Sequence, residues 1–146
     1  MTQPLFIPSN LPWQTLAGID HLHYVILDVD EANKSIDVIF KFAAHQQIVL
    51  HRHKALNKMF VIQGEHRLYE ADGSLREIRP TGCYTTSPAS DVPHREGGGE
   101  TDAIVYFSIR GSTGVLYEIL DDDLNIIGSL DMQAFIGLYQ QQMAVI

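Results

Sequence analysis

Two histidines at positions 51 and 53 are the residues of this chain with the clearest chemical potential. They end the apolar run 48–53, which has the character of a β-strand. Alternate side chains of a strand share a face, so both imidazoles point the same way and Arg52 points the opposite way. Neutral imidazole is a common ligand for divalent metal ions. The pair therefore predicts half of a metal site.

A third imidazole is available at His94, in a proline-bounded loop far along the chain. The chain between His53 and His94 is long enough for about two hairpins, which lets it leave one strand and return beside it. We therefore expect His51, His53 and His94 to bind one metal ion. The alternative is that all three are merely polar strand ends.

Other histidines compete for this role. His21 and His23 form a second pair two residues apart, but no glycine-punctuated hairpin follows it, so a surface or interface role is favoured. His66 follows Gly64 on an outgoing strand and is expected to be a hydrogen-bonded barrel histidine rather than a ligand.

Further residues are candidates for contact with the ligands or the cavity. Gln47 shares the strand parity of His51 and His53 and is expected to hydrogen-bond a metal-bound water or a ligand imidazole. Glu96 and Glu100 follow His94; either could be a base beside the metal, although solvated acids are commoner. The remaining pocket candidates are Asn57, Phe60, Ile62, Tyr84 and Tyr106. No residue is assigned a catalytic role.

Many short β-like runs must position these side chains. Residues 35–42 alternate between apolar and polar, which indicates a half-buried strand, and the Asp72-Gly73 turn is a strong hairpin signal. Proline-rich residues 1–20 form an N-terminal arm, and residues 131–143 form a C-terminal helix capped by Asp131. The prediction is one all-β domain, 1–146, a barrel or sandwich of jelly-roll type with a short C-terminal helix.

Composition excludes several function classes. The 146 residues carry 10 Lys and Arg against 18 Asp and Glu, a net charge of −8, so nucleic acid is not an expected partner. No apolar window approaches the roughly 20 residues of a membrane helix. A single cysteine, Cys83, excludes an intrachain disulfide. We expect a cytoplasmic protein, because the first residues lack the pattern of a secretory signal.

The order of strands, histidines and turn residues resembles the cupin pattern. Gly82, five residues and Pro88 match the opening of the second cupin motif, whereas Ser90 replaces its glycine and His94 comes one residue late. In the first motif the glutamate position falls on Asn57 or Lys58. The sequence therefore has the three histidines of the cupin motifs and lacks their glutamate.

Residues 51–64 are similar to the three-histidine cupins that include acetylacetone-cleaving and dihydroxyacetophenone dioxygenases, and to the zinc-binding cupin domain of an anti-sigma factor. The resemblance implies a mononuclear non-haem Fe(II) dioxygenase that uses O2 to cleave a C–C bond of a small β-dicarbonyl or hydroxyketone. Zn, Ni or Mn are other candidate occupants. Three neutral imidazoles leave a divalent ion at net +2 with roughly three open positions, which suits an anionic bidentate enolate.

Two other functions remain open. One is a non-catalytic, metal-binding ligand sensor resembling the anti-sigma-factor module, and the other is a zinc or nickel isomerase or lyase. The resemblance also suggests a homodimer, with the strand at residues 21–27 as its exposed edge.

Overall fold

The computed structural model describes residues 6–111 and 114–145, which form twelve strands and one α-helix. The first five residues of the predicted N-terminal arm, Pro4 among them, lie outside the described residues. A 3-10 turn at Pro8–Asn10 precedes the strands. The elements are β1 (Gln14–Leu16), β2 (Ile19–Asp30), β3 (Ser35–Phe42), β4 (His51–His53), β5 (Leu56–Gln63), β6 (His66–Tyr69), β7 (Leu75–Arg79), β8 (Tyr84–Ser87), β9 (Arg95–Gly97), β10 (Ala103–Arg110), β11 (Tyr117–Leu120), β12 (Ile126–Leu130) and α1 (Met132–Ala144).

The strands form three antiparallel sheets. One has six strands in the order β1-β2-β3-β10-β5-β8, and the two smaller ones have the orders β12-β11-β4 and β7-β6-β9. The core collects apolar side chains from the six-stranded sheet, from β11 and from α1. Because neighbours in the large sheet are distant in sequence, the architecture is that of a jelly roll. The predicted all-β jelly roll with a short C-terminal helix is confirmed.

Strand β3 lies where the alternation of apolar and polar residues predicted a strand. Its bounds coincide with the predicted run 35–42, and Ile36, Val38 and Phe42 are buried as the pattern requires. Strand β5 begins at Leu56, and the next two residues, Asn57 and Lys58, have low strand propensity. Neighbouring strands β10 and β8 pair with it on both sides there, and this pairing outweighs the low strand propensity of the local residues.

Strand β9 directly follows the proline-bounded loop that carries His94, and it ends at the first of three consecutive glycines. Its three residues pair with β6, and Gly97 also forms a bridge with Gln47. A Cβ atom on Gly97 would lie 1.9 Å from the carbonyl oxygen of Gln46, so only glycine permits this approach. Gly97 therefore allows this short strand to pack tightly against the backbone of Gln46.

Strand β2 is not the exposed edge that the sequence suggested. Strand β1 pairs with its first half, and further along the side chain of Gln142 from α1 takes the place of a neighbouring strand. Its amide donates to the carbonyl oxygen of Ile26 and accepts from the N–H of Ile26, both at 2.9 Å. A homodimer stays a prediction, and β2 is a poor choice for its interface.

Helix α1 begins after Asp131, whose carboxylate accepts from the N–H of Ala134 at 2.8 Å, as the sequence predicted. It packs against β2, and the side chain of Phe135 is buried. Within the described part of the chain, no helix is long and apolar enough to cross a membrane.

The Gln142 bridge predicts a stability effect. Gln142→Leu leaves the buried N–H and C=O of Ile26 without their partner, so we expect the free energy of unfolding to fall by about 1–3 kcal/mol. Denaturant unfolding measures this loss. Gln141→Leu is the matched control, because Gln141 is exposed on the same helix and should change stability by less than about 0.5 kcal/mol. Equal losses in both variants would contradict the assigned role.

Candidate metal centre

Backbone pairing brings the predicted histidines together. The N–H of His51 donates to the carbonyl of His94 at 3.0 Å, and the N–H of His94 donates back at 2.9 Å. Strand β4 also pairs with β11, which places Tyr117 opposite His53. The side chains of His51 and His53 are almost fully buried on the same face. The strand geometry expected of the His51 and His53 pair is thus present, with His94 beside it.

A carboxylate completes this group. Oε2 of Glu96 lies 2.6 Å from Nε2 of His51, 3.3 Å from Nε2 of His53 and 3.4 Å from Nε2 of His94. Nε2 of His53 and Nε2 of His94 are 3.1 Å apart. We call His51, His53, His94 and Glu96 the His–Glu cluster. Its four ligand atoms all lie within 4.8 Å of one another, and ligands held about 2.1 Å from one ion are spaced about 3 Å apart.

The tautomer of His51 indicates whether a cation fits between this ring and Glu96. Nδ1 of His51 donates to the carbonyl oxygen of Val49 at 2.7 Å, so a neutral ring carries its proton there and leaves Nε2 bare. That bare nitrogen faces the carboxylate oxygen of Glu96 at 2.6 Å. Two lone pairs at this distance repel each other unless a positive charge lies with them. The donor set therefore fits a metal ion bound by all four side chains.

The protonation states favour the same conclusion. Burial lowers the pKa of His53 to about 4 and also lowers the pKa of His94, so both rings are neutral at pH 7. Burial alone would raise the pKa of Glu96, but the close contacts of its carboxylate with the surrounding imidazoles hold that pKa well below its ordinary value. Neutral imidazole and ionised carboxylate are the forms that bind metal. The cluster is able to hold a metal ion without first losing a proton from these groups.

An apolar cavity adjoins the cluster. It has a volume of about 50 Å³, and His51 and Glu96 form its polar end. Its walls come from the sheets, including Phe42, Phe107 and Tyr117, and from Phe135 on α1. The remaining lining residues are Leu16, Ile19, Leu22, Tyr24, Phe40, Ile48, Val49, Ile119, Leu130 and Leu138. A small ligand in this cavity would meet the cluster at one end and hydrocarbon elsewhere.

Asn57 occupies the position where the cupin motif has glutamate, and it is not part of the cluster. Its side chain is fully buried; Nδ2 donates to the carbonyl of Ala55 at 2.9 Å, and Oδ1 accepts from the hydroxyl of Tyr117 at 2.8 Å. These bonds hold the amide against Tyr117. Asn57 thus reaches the cavity only through the tyrosine that lines it.

Four of the predicted pocket residues lie elsewhere. Asn57, Met59 and Val61 form the buried face of β5, so Phe60 and Ile62 point to the outer face of the sheet. Phe60 and Tyr84 are paired there and are 41% and 58% exposed. Tyr106, opposite Phe60, donates its hydroxyl to Asp37. The expectation that Phe60, Ile62, Tyr84 and Tyr106 line the cavity is not met, because they have the wrong strand parity.

Gln47 and Glu100 are also placed away from the cluster. The amide of Gln47 donates to the carbonyl of Gly73 at 3.1 Å, so it holds the β6–β7 turn rather than a ligand imidazole. Glu100 is exposed and lies 3.7 Å from His45. Neither residue takes the role that the sequence suggested for it.

Glu96 is closer to the histidines than the sequence suggested. It was expected to be a neighbouring base or a solvated acid, yet it is 2% exposed within the cluster. Its spacing from His94, two residues, is the spacing that links His51 to His53, so strand parity is the signal that would have found it. With Glu96 as a ligand, a divalent ion has net charge +1 and about two open positions, rather than +2 and three.

Comparison with known proteins places this chain in a family. The family model of the ChrR cupin-like domain matches residues 2–113, which is more than half of the chain. The chain belongs to this cupin family. No protein with a curated description matches it.

Solved structures agree on the cupin fold. An RmlC-like cupin from Ralstonia eutropha JMP134 superposes with a TM-score of 0.75 at 17% identity, covering 100% of this chain and 90% of that one. A second protein from that organism, described as having a cupin-like fold, gives 0.69 at 20% identity, with 86% and 74% covered. An acetylacetone dioxygenase from Acinetobacter johnsonii gives 0.70 at 16% identity, with 97% and 93% covered. At these identities the similarity shows the fold alone.

Proposed function

We propose that this cupin is a mononuclear non-haem Fe(II) dioxygenase that cleaves a C–C bond of a small β-dicarbonyl or hydroxyketone. The observation that carries the proposal is that two members of the His–Glu cluster, His51 and Glu96, form the polar end of a small apolar cavity. The fold shared with an acetylacetone dioxygenase adds support. At 16% identity this similarity is evidence for the architecture alone.

In this proposal, the His–Glu cluster and the cavity walls have different roles. His51, His53, His94 and Glu96 would hold the iron, which when bound supplies Lewis acidity and one-electron chemistry with O2. The aromatic walls Phe42, Phe107 and Phe135 would exclude water and contact the hydrocarbon part of the substrate. An anionic substrate, such as an enolate, would be attracted to the net charge of +1 and bring the charge of the site close to zero.

The size of the cavity narrows the range of substrates that the proposal allows. Each water-sized group needs at least about 10–15 Å³ of cavity volume, so 50 Å³ accommodates about three to five such groups. Short-chain diketones and hydroxyketones fit that space better than aryl ketones. We therefore expect turnover to fall as the alkyl groups of the substrate are lengthened.

Oxygen uptake by iron-loaded protein tests the proposal. The panel would contain short β-diketones, short hydroxyketones and hydroxyacetophenones, with metal content measured on the same samples. We expect about one iron per chain and O2 consumption with the short substrates. Zinc-loaded protein is the control and should consume no O2, because zinc has no redox chemistry. Absence of turnover across the panel by fully iron-loaded protein would contradict the proposal.

A second candidate is a non-catalytic cupin that senses a ligand through its metal, and membership of the ChrR cupin-like family favours it. The same experiment separates the two. A sensor would bind small carbonyl compounds and change its metal spectrum without consuming O2, whereas the dioxygenase would do both.

A further inference from the structure

The two carboxylate oxygens of Glu96 have different partners. Oε2 faces the three histidines of the cluster, as described above, whereas Oε1 lies 2.7 Å from Nε2 of His66. His66 is the first residue of β6, and β6 pairs with the strand that carries Glu96. The contact therefore joins two side chains whose backbones belong to the same small sheet.

The surroundings of His66 fix its orientation. Its side chain is fully buried and its ring stacks on Phe42, with ring centroids 5.0 Å apart and an interplanar angle of 21°. Because a carboxylate only accepts, the ring proton of a neutral His66 lies on Nε2, towards Glu96. Among the described residues, Nδ1 of His66 has no hydrogen-bond partner. The contact with Glu96 is thus the polar interaction that holds this ring.

We propose that His66 is a positioning residue of the metal centre: by donating from Nε2 to Oε1 of Glu96, it presents Oε2 alone to the ion. The proposal rests on metal binding by the cluster, as argued under the proposed function, but not on the dioxygenase reaction. It assigns a role to a histidine that the sequence indicated only as a buried barrel residue.

The consequence is a carboxylate that binds through one oxygen. If the bond from His66 is removed, Glu96 is free to rotate, and both oxygens can approach the ion or both can move away. Partners that orient a metal ligand in this way typically change metal affinity by about 10–100-fold when removed. The number of open positions at the ion would change as well.

Two substitutions separate the hydrogen bond from the packing of the ring. His66→Gln retains an N–H donor near the position of Nε2, whereas His66→Leu has a similar volume and no donor. Metal affinity would be measured by competition with a chelator, and coordination by the visible absorption of the Co(II)-loaded protein. We expect His66→Leu to lose about 10–100-fold in affinity and to change the Co(II) spectrum. His66→Gln should retain both to within about threefold.

A surface pair provides the matched control. His45 and Glu100 are also a histidine and a glutamate in contact, 3.7 Å apart, but their side chains are 60% and 83% exposed and outside the cluster. His45→Gln should leave the affinity and the spectrum unchanged.

Several outcomes would overturn the proposal. Wild-type affinity and spectrum in His66→Leu would show that the bond does not position Glu96. Loss of metal in His66→Gln, with the variant folded, would show that the ring itself is needed, as packing or as a ligand. If His66→Leu fails to fold, His66→Gln decides alone. Lack of metal binding by wild-type protein would overturn the proposed function together with this inference, whereas metal binding without turnover would affect only the proposed function.

Discussion

Replacing any one of His51, His53 or His94 by alanine is expected to abolish stoichiometric metal binding. Each supplies one of the four donor atoms, and each removal also leaves the buried carboxylate of Glu96 with one fewer partner. Removing a residue that only orients a metal ligand typically costs about 10–100-fold in metal affinity, so we expect the loss of a ligand itself to cost about 100-fold or more. Metal content after dialysis and calorimetric titration of the metal-free protein both measure this loss.

His23→Ala is the control for these three variants. His23 belongs to the competing histidine pair of the sequence, but it lies on β2 and outside the cluster. It should bind the same amount of metal as the wild type. Full occupancy in His94→Ala would show that the third imidazole is wrongly assigned, and full occupancy in all three variants would rule out the cluster as the metal site.

Local spacing accounts for the part of the centre that the sequence could predict. The alternation of a strand places His51 and His53 on one face whatever the rest of the chain does. The number of hairpins between His53 and His94 makes a return to the same place plausible, and the backbone pair between His51 and His94 provides it. These features depend on short-range geometry, which a sequence displays directly.

The cavity walls could not be predicted in the same way. Residues 59–62 are all apolar, so alternation gives no sign of which two face inwards. The structure places Met59 and Val61 inside because β5 lies between β10 and β8 in a fixed register. Register is set by pairing with distant strands, and a single apolar run carries no information about it.

The location of the carboxylate depends on contacts that are even less local. The motif position, Asn57, is engaged by the hydroxyl of Tyr117, which lies 60 residues further along the chain. Glu96 lies on a strand of three residues that forms only because Gly97 can approach the backbone of Gln46. A three-residue strand whose last residue is the first of three consecutive glycines resembles a loop by composition. The carboxylate of the cluster thus lies on β9 and not at the motif position on β5, so a search for the motif does not find it.

Glu96→Gln tests whether the carboxylate on β9 is a metal ligand. The change retains the size of the side chain and an oxygen that can accept from His66, but it removes the negative charge. It can also turn an NH2 group towards the histidines, where a carboxylate oxygen now lies 2.6–3.4 Å from their Nε2 atoms. A donor directed at the ion cannot act as a ligand. We expect metal affinity to fall by about 100-fold or more, by the same reasoning as for the histidines.

Glu100→Gln is the matched control for this prediction. Glu100 lies four residues after Glu96 and its side chain is exposed, so the change removes an equal charge outside the cluster. Chelator competition should show wild-type affinity for Glu100→Gln and a large loss for Glu96→Gln, with thermal unfolding of the metal-free proteins confirming that both fold. If Glu96→Gln binds metal as tightly as the wild type, the carboxylate is not a ligand, and the ion is held by three imidazoles at net charge +2. Such a site would have about three open positions, so the affinity of this one variant decides how many positions remain for a substrate and O2.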